Sequence, residues 1–153
     1  MTLLSRRAIE VNRPYLRVVG AIFIIISLTN CAKPYIHRIA EPAAAWRTRT
    51  GQLMYRNTRT TLIGDVVVRF SKTGDFELTF SKGAGSPLLF LRQDLQYADV
   101  KGALARSGWS GAIERAPTQL RGWLELRDRI LHGQNEKTIR YSAGGEIFWL
   151  RFQ

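Results

Sequence analysis

Cys31 is the one thiol in 153 residues. With no second cysteine it cannot close an internal disulfide, so any chemistry it does is with a group outside the chain. His37 and His132 lie far apart and at no ligand spacing, which argues against a metal site. No serine stands in a Gly-x-Ser-x-Gly elbow with a histidine to serve it. Asp94 and Asp99 flank a predicted strand and form the one candidate carboxylate pair, although Asp at a strand end usually makes a turn. The glycines of "KGAGS" (82–86) and "AGG" (143–145) do not open a helix after a strand, so they match no phosphate-cradling loop. Trp109, set between glycines in "SGWSG", either plugs an open end of a sheet or touches lipid or a partner. These side chains give only weak grounds for an enzyme and make a metal site an unfavoured expectation.

The thiol closes the most apolar run of the chain. Arg6, Arg7, Arg13 and Arg17 precede an uncharged core from Val18 to Thr29. As a helix that core would reach only about 18 Å, against about 30 Å of hydrocarbon. Basic residues followed by a short apolar stretch are the order of a secretory signal. "LTNC" (28–31) resembles the lipobox of bacterial lipoprotein signals, in which an aliphatic and a small residue precede the cysteine to be acylated. On this reading residues 1–30 are a signal peptide, Cys31 is the lipidation site, and the mature chain is held at the membrane by acyl chains such as palmitate, each buried methylene adding about 0.8 kcal/mol. An uncleaved anchor helix and an ordinary secretory signal with an incidental thiol are the alternatives. "SRR" (5–7) is a poor twin-arginine signal, because Glu10 stands where an apolar residue is wanted.

The chain carries a net charge of +11. The first 30 residues hold four Arg and one Glu, so the remaining 123 keep +8, a size that suits one domain with a single core. Such a balance favours anionic head groups or acidic surfaces as partners. Nucleic acid is not expected: its binders cluster cations with exposed aromatics, and here the basic residues are scattered singly from Arg47 to Arg151.

The elements that must position these groups begin near Trp46. "AKPYIHRIAEPAAA" (32–45), with Pro34 and Pro42, reads as a tether, so residues 31–45 link the thiol to a domain over 46–153. "GQLMYRN", "TLIGDVVVRFS" and "DFELTFS" alternate apolar and polar residues as strands do. Val66, Val68 and Phe70 then share one face, as do Phe76, Leu78 and Phe80, with Gly74 supplying the turn between them. "PLLFLRQ" and "LQYADVKG" read as two further strands, and "ARSGWSGAIERAP" (105–117) as irregular. Leu120, Trp123, Leu124, Arg127, Ile130 and Leu131 recur at helical spacing, with Thr118 as cap and Gly133 as stop. "TIRYS" and "EIFWLRF" close the chain as a hairpin. The fold class predicted is α+β: a curved antiparallel β-sheet of about seven strands with one main covering helix.

From Trp46 to Phe152 the order of segments resembles LolB, the outer-membrane lipoprotein that receives other lipoproteins from the periplasmic carrier LolA. The likeness is carried by "WRTRTGQLMY", the hairpin "RFSKTGDFELTF", the loop "KGAGSPLLFL", the helix start "APTQLRGWLELR" and the late hairpin "IRYSAGGEIFW". The resemblance implies an incomplete barrel whose concave side is covered by helix and holds an apolar cavity for acyl chains of lipoproteins or another lipid. It implies a LolA-like carrier as partner, transport or chaperone work by a protein that is not an enzyme and uses no cofactor, and placement at the periplasmic face of the outer membrane. The alternation then assigns Val66, Val68, Phe70, Phe76, Leu78, Phe80, Leu88 and Phe90 to the cavity wall, with Leu120, Trp123 and Leu124 on the covering helix. Gly83, Ala84 and Gly85 match the family's membrane-insertion loop, where Ala84 replaces an exposed leucine and offers less apolar surface. The family runs on for several strands where this chain stops at Gln153, which implies a shorter barrel with an edge strand. A lipoprotein that kept this fold as a scaffold or adaptor for a protein partner is the reading of a different class.

Overall fold

Wherever the chain places apolar residues at every second position, it forms a strand. A computed structural model describes residues 37–83 and 87–153. The strands are β1 (Arg47–Arg56), β2 (Thr61–Phe70), β3 (Phe76–Ser81), β4 (Pro87–Gln93), β5 (Tyr97–Lys101), β6 (Trp109–Ala112), β7 (Thr138–Ala143) and β8 (Glu146–Phe152). A single α-helix among the described residues, α1 (Thr118–His132), stands between β6 and β7. All neighbours pair antiparallel in one sheet of order β6-β5-β4-β3-β2-β1-β8-β7. Its two edges do not meet, so the class is α+β with a curved, unclosed sheet. The expected signal peptide, Cys31, Ala84 and Gly85 lie outside the described residues.

Topology follows from connection length. β1 to β6 are laid down as successive hairpins, which leaves the chain at one edge while the free side of β1 is at the other. Seven strand spacings of about 4.8 Å separate the two edges, about 34 Å in all. A 15-residue helix covers about 22 Å of that crossing, and its apolar stripe has to lie on one sheet face to do so. Gly74, at φ 96°, turns β2 into β3 in a conformation that a Cβ would strain.

Inner and outer faces are set by register. Val66, Val68 and Phe70 stand opposite Phe80, Leu78 and Phe76, and all six are buried. Next along the sheet, Phe76, Leu78 and Phe80 face Gln93, Leu91 and Leu89. Directly opposed residues share a face, so β4 turns Leu89, Leu91 and Gln93 inward. The assignment of Phe90 to the inner wall is therefore corrected: it is half-buried on the outer face, opposite Thr79 and Lys101, whereas half-buried Leu88 packs against the core. Beyond the Phe80↔Leu89 pair a register shift sets Ser81 opposite Pro87, which leaves Leu88 as the extra residue of a bulge, outside the alternation of the strand.

Three further expectations change. The sheet has eight strands because Trp109–Ala112, read as irregular, pairs with β5 from Val100↔Trp109 to Tyr97↔Ala112. A partner strand, not apolar alternation, makes this edge strand. Thr118 is the first helical residue and caps nothing; Pro117 precedes it and its carbonyl accepts the Leu120 N–H at 2.9 Å. Gly133 does end the helix, donating its N–H to the Arg129 carbonyl at 3.0 Å. The stretch read as a tether touches the sheet from His37 on. The His37 ring stacks on Tyr97 at 4.8 Å and bonds the Asp94 carboxylate, and Glu41 lies 4.0 Å from Arg92.

Candidate functional site

The apolar inner face is the one place where many predicted site residues converge, and α1 lies directly on it. Trp123, only 1% exposed, is the centre. Its ring lies 4.9 Å from Tyr55, 5.9 Å from Phe80 and 5.0 Å edge-on from Phe148, which in turn stacks on Tyr141 at 4.8 Å. Edge-to-face and offset pairs of this kind add about 0.5–1.5 kcal/mol beyond the area they bury. The helix comes this close because residue 122 is glycine. A Cβ there would stand 2.8 Å from the Phe148 ring and 2.9 Å from the Glu146 carboxylate.

Polar contacts stitch the rim. Gln93 donates through Nε2 to the Leu124 carbonyl at 2.9 Å, and Arg127 donates through Nε to the Gly74 carbonyl at 2.8 Å. Tyr55 donates to Glu146 at 2.5 Å. Burial, helped by that bond, pushes the pKa of the Tyr55 hydroxyl up to about 12. Burial likewise raises the Glu146 carboxyl above its ordinary value, against the opposing pull of the Tyr55 bond. Two buried polar atoms, Gln93 Oε1 and the Tyr141 hydroxyl, have no hydrogen-bond partner among the described residues. Buried Tyr141 is also shifted upward, by desolvation first and then by Glu125 and Glu146.

Side chains of the protein itself occupy the ground beneath α1. Val66, Val68, Phe76, Leu78, Phe80, Leu120 and Trp123 are core residues that line none of the four hollows described next. Beside the helix, a hollow of about 420 Å³ has Leu95, Ile113 and Leu124 as its apolar wall and Gln93, Arg121, Glu125 and Arg127 around them. A second, of about 580 Å³, lies along the C-terminal half of α1 with Ile139 as its one aliphatic wall residue. A third, of about 490 Å³, between the β1–β2 turn and the start of α1, is polar. Phe70 borders a small hollow of about 190 Å³ with Arg47 and Gln134. The second and third are larger, but lining singles out the first as the way toward the inner face, because of these four it alone has three aliphatic side chains in its wall.

Sequence reasoning missed Leu89, Leu91, Gln93, Leu53, Tyr55, Phe148 and Leu150, all buried on the same face. The alternation of "GQLMYRN" and "EIFWLRF" was the signal for four of them. Nothing in "PLLFLRQ" shows which parity points inward, because four apolar residues run together.

The remaining candidates have separate structural roles. Asp94 Oδ1 accepts the backbone N–H of Gln96 at 2.7 Å and of Tyr97 at 2.8 Å, an Asx turn. Burial alone would raise this carboxyl, but those bonds and His37 outweigh it and hold it below the ordinary value. Asp99 instead pairs with Lys101 at 2.7 Å. The Nδ1 of His132 lies 2.6 Å from the Asp128 carbonyl within α1. Trp109 is half-buried against the core. Gly83 is exposed at φ 69°. Among the described residues no cluster of His, Cys, Asp and Glu could hold a metal ion, and no helix is long and apolar enough to cross a membrane.

Geometry of this kind marks a sheet-and-helix protein whose apolar inner face is plugged by its own side chains. No protein-family model matches the chain, and no curated protein matches it.

Proposed function

We propose that this chain is a lipid-anchored, LolB-like envelope protein that binds acyl chains of lipoproteins or another lipid against the inner face of its sheet and assists their localisation to the outer membrane. One observation carries the reading: a continuous apolar face runs from Leu53 to Leu91 across four adjoining strands, and a single helix is its main cover. An acyl chain offered to this face has to displace Trp123 and Leu124, and it does so from the 420 Å³ hollow where Leu124 is already at the wall. Burial of its methylenes replaces the burial of those two side chains, so the exchange is close to balanced and reversible, as handing on a cargo requires. Cys31 is the acylated residue and a LolA-like carrier is the donor. The protein makes and breaks no covalent bond in this work and uses no cofactor.

The test is direct. Residues 31–153 carrying Cys31→Ala, Trp46→Phe, Trp109→Phe and Trp149→Phe leave Trp123 as the one indole. Titration with a brominated fatty acid, or with an acylated peptide, is expected to quench Trp123 emission saturably. A folded protein whose Trp123 emission never changes overturns the lipid reading.

A second reading is favoured by the filled interior itself. If Trp123 never leaves its seat, the protein is a non-catalytic scaffold or adaptor that holds a protein partner. Purification from native envelopes with one stoichiometric partner, alongside an unresponsive Trp123, is the outcome expected in that case.

A further inference from the structure

One row on the outer face of the sheet exposes large apolar side chains to solvent. Arg140 pairs with Trp149, Trp149 with Met54, and Met54 with Ile63, so the four stand side by side across β7, β8, β1 and β2. Trp149 is 48% exposed and Ile63 59%, with half-buried Met54 between them. Outward positions of a solvated antiparallel sheet are ordinarily polar. In the flanking rows stand Ile147 with Arg56, and Arg151 with Asp65. No described carboxylate pairs with Arg56, Arg140 or Arg151. The other half of the same face is different: there Arg69 and Arg92 share the carboxylate of Glu77.

We propose that this row is a docking surface for an anionic lipid bilayer, with Trp149, Met54 and Ile63 resting among the head groups and Arg56, Arg140 and Arg151 meeting phosphates. Charge decides between occupants. Three unneutralised guanidinium groups and one carboxylate, Asp65, surround the apolar strip, on a chain of net charge +11, and they complement a surface of negative head groups. A second copy of the chain would set these same cations against one another in a two-fold contact. A protein partner is expected to anchor side chains in pockets, yet none of the four hollows has Trp149, Met54 or Ile63 in its wall. An indole flanked by arginines is well suited to the boundary between water and hydrocarbon, because both side chains are apolar along the stem and polar at the tip. The proposal does not depend on what occupies the helix side of the sheet.

The test uses the full chain with Cys31→Ser, so that a probe can be attached at one chosen cysteine. An environment-sensitive fluorophore is placed through Ile63→Cys or, as a control at the far end of the same face, through Thr48→Cys. Each protein is mixed with phosphatidylcholine vesicles containing brominated acyl chains, with or without about a third phosphatidylglycerol. The basic, apolar N-terminal segment is able to hold the chain to any vesicle, so the readout is the difference between the two probe positions. The probe at 63 is expected to be quenched several-fold more than the probe at 48, and only with phosphatidylglycerol present. Adding Arg56→Glu, Arg140→Glu and Arg151→Glu is expected to bring it down to the control level. Equal quenching at both positions, or quenching indifferent to phosphatidylglycerol, overturns the proposal. So does a shift at 63 that grows with protein concentration without lipid, which would mark self-association.

Discussion

Glu146 shows how much one side chain depends on its surroundings. Its carboxyl is raised by burial while Tyr55 donates to it at 2.5 Å. A carboxyl whose folded value lies above its unfolded one binds its proton more tightly in the native state, so its stabilising effect is full at acid pH and is lost as pH rises through the raised value. Glu146→Gln keeps an acceptor for Tyr55 without the charge. Urea denaturation from pH 4 to 7 is expected to show wild type losing stability relative to this variant as pH rises. Asp94 has the opposite sign: held low by two backbone N–H groups and His37, it stabilises at neutral pH and loses that effect as pH falls. A difference between wild type and Glu146→Gln that is flat over this range would mean that Glu146 is solvated.

At the scale of elements, β4 is the clearest case of a strand that only its neighbour can orient. "PLLFLRQ" has no alternation of its own, and pairing with β3 turns Leu89 and Leu91 inward. Leu89→Ala is expected to cost about 2–5 kcal/mol, the range for a core leucine, whereas Phe90→Ala costs about 1 kcal/mol or less. The opposite ranking in chemical denaturation would reverse the face assignment. Helix α1 presents the converse case, in which the sequence displays its stripe plainly but not how near it comes. Gly122→Ala brings a helix-propensity gain of about 1 kcal/mol and places a methyl against the fully buried Phe148 ring. Overpacking costs about 1–3 kcal/mol, so a net loss is expected in thermal unfolding.

Across the whole molecule, stability is expected to be graded from the middle of the sheet outward. β1 and β2 pair over ten residues and have partners on both sides, while β6 is a four-residue edge strand. Hydrogen exchange at native pH is expected to be slowest at Leu53, Val66 and Val68 and fastest among strand residues in β6, because opening an edge breaks one ladder and little core. The same grading bears on the proposed lipid exchange. Displacing α1 uncovers the inner face without breaking a sheet hydrogen bond, so the sheet can stay intact while its cover moves.

Most of the strands, the hairpin at Gly74 and the stripe of Leu120, Trp123 and Ile130 are written in the chain itself, because alternation, turn chemistry and helical period are local properties. The excess of positive charge is likewise a matter of composition. Three features had to wait for the folded chain: Trp109–Ala112 is a strand, Leu89 faces inward in place of Phe90, and Trp123 fills the ground assigned to a cavity. Each of these depends on which residue of a distant segment stands opposite. Register and the separation between helix and sheet are settled when segments meet, and no window of sequence contains both partners.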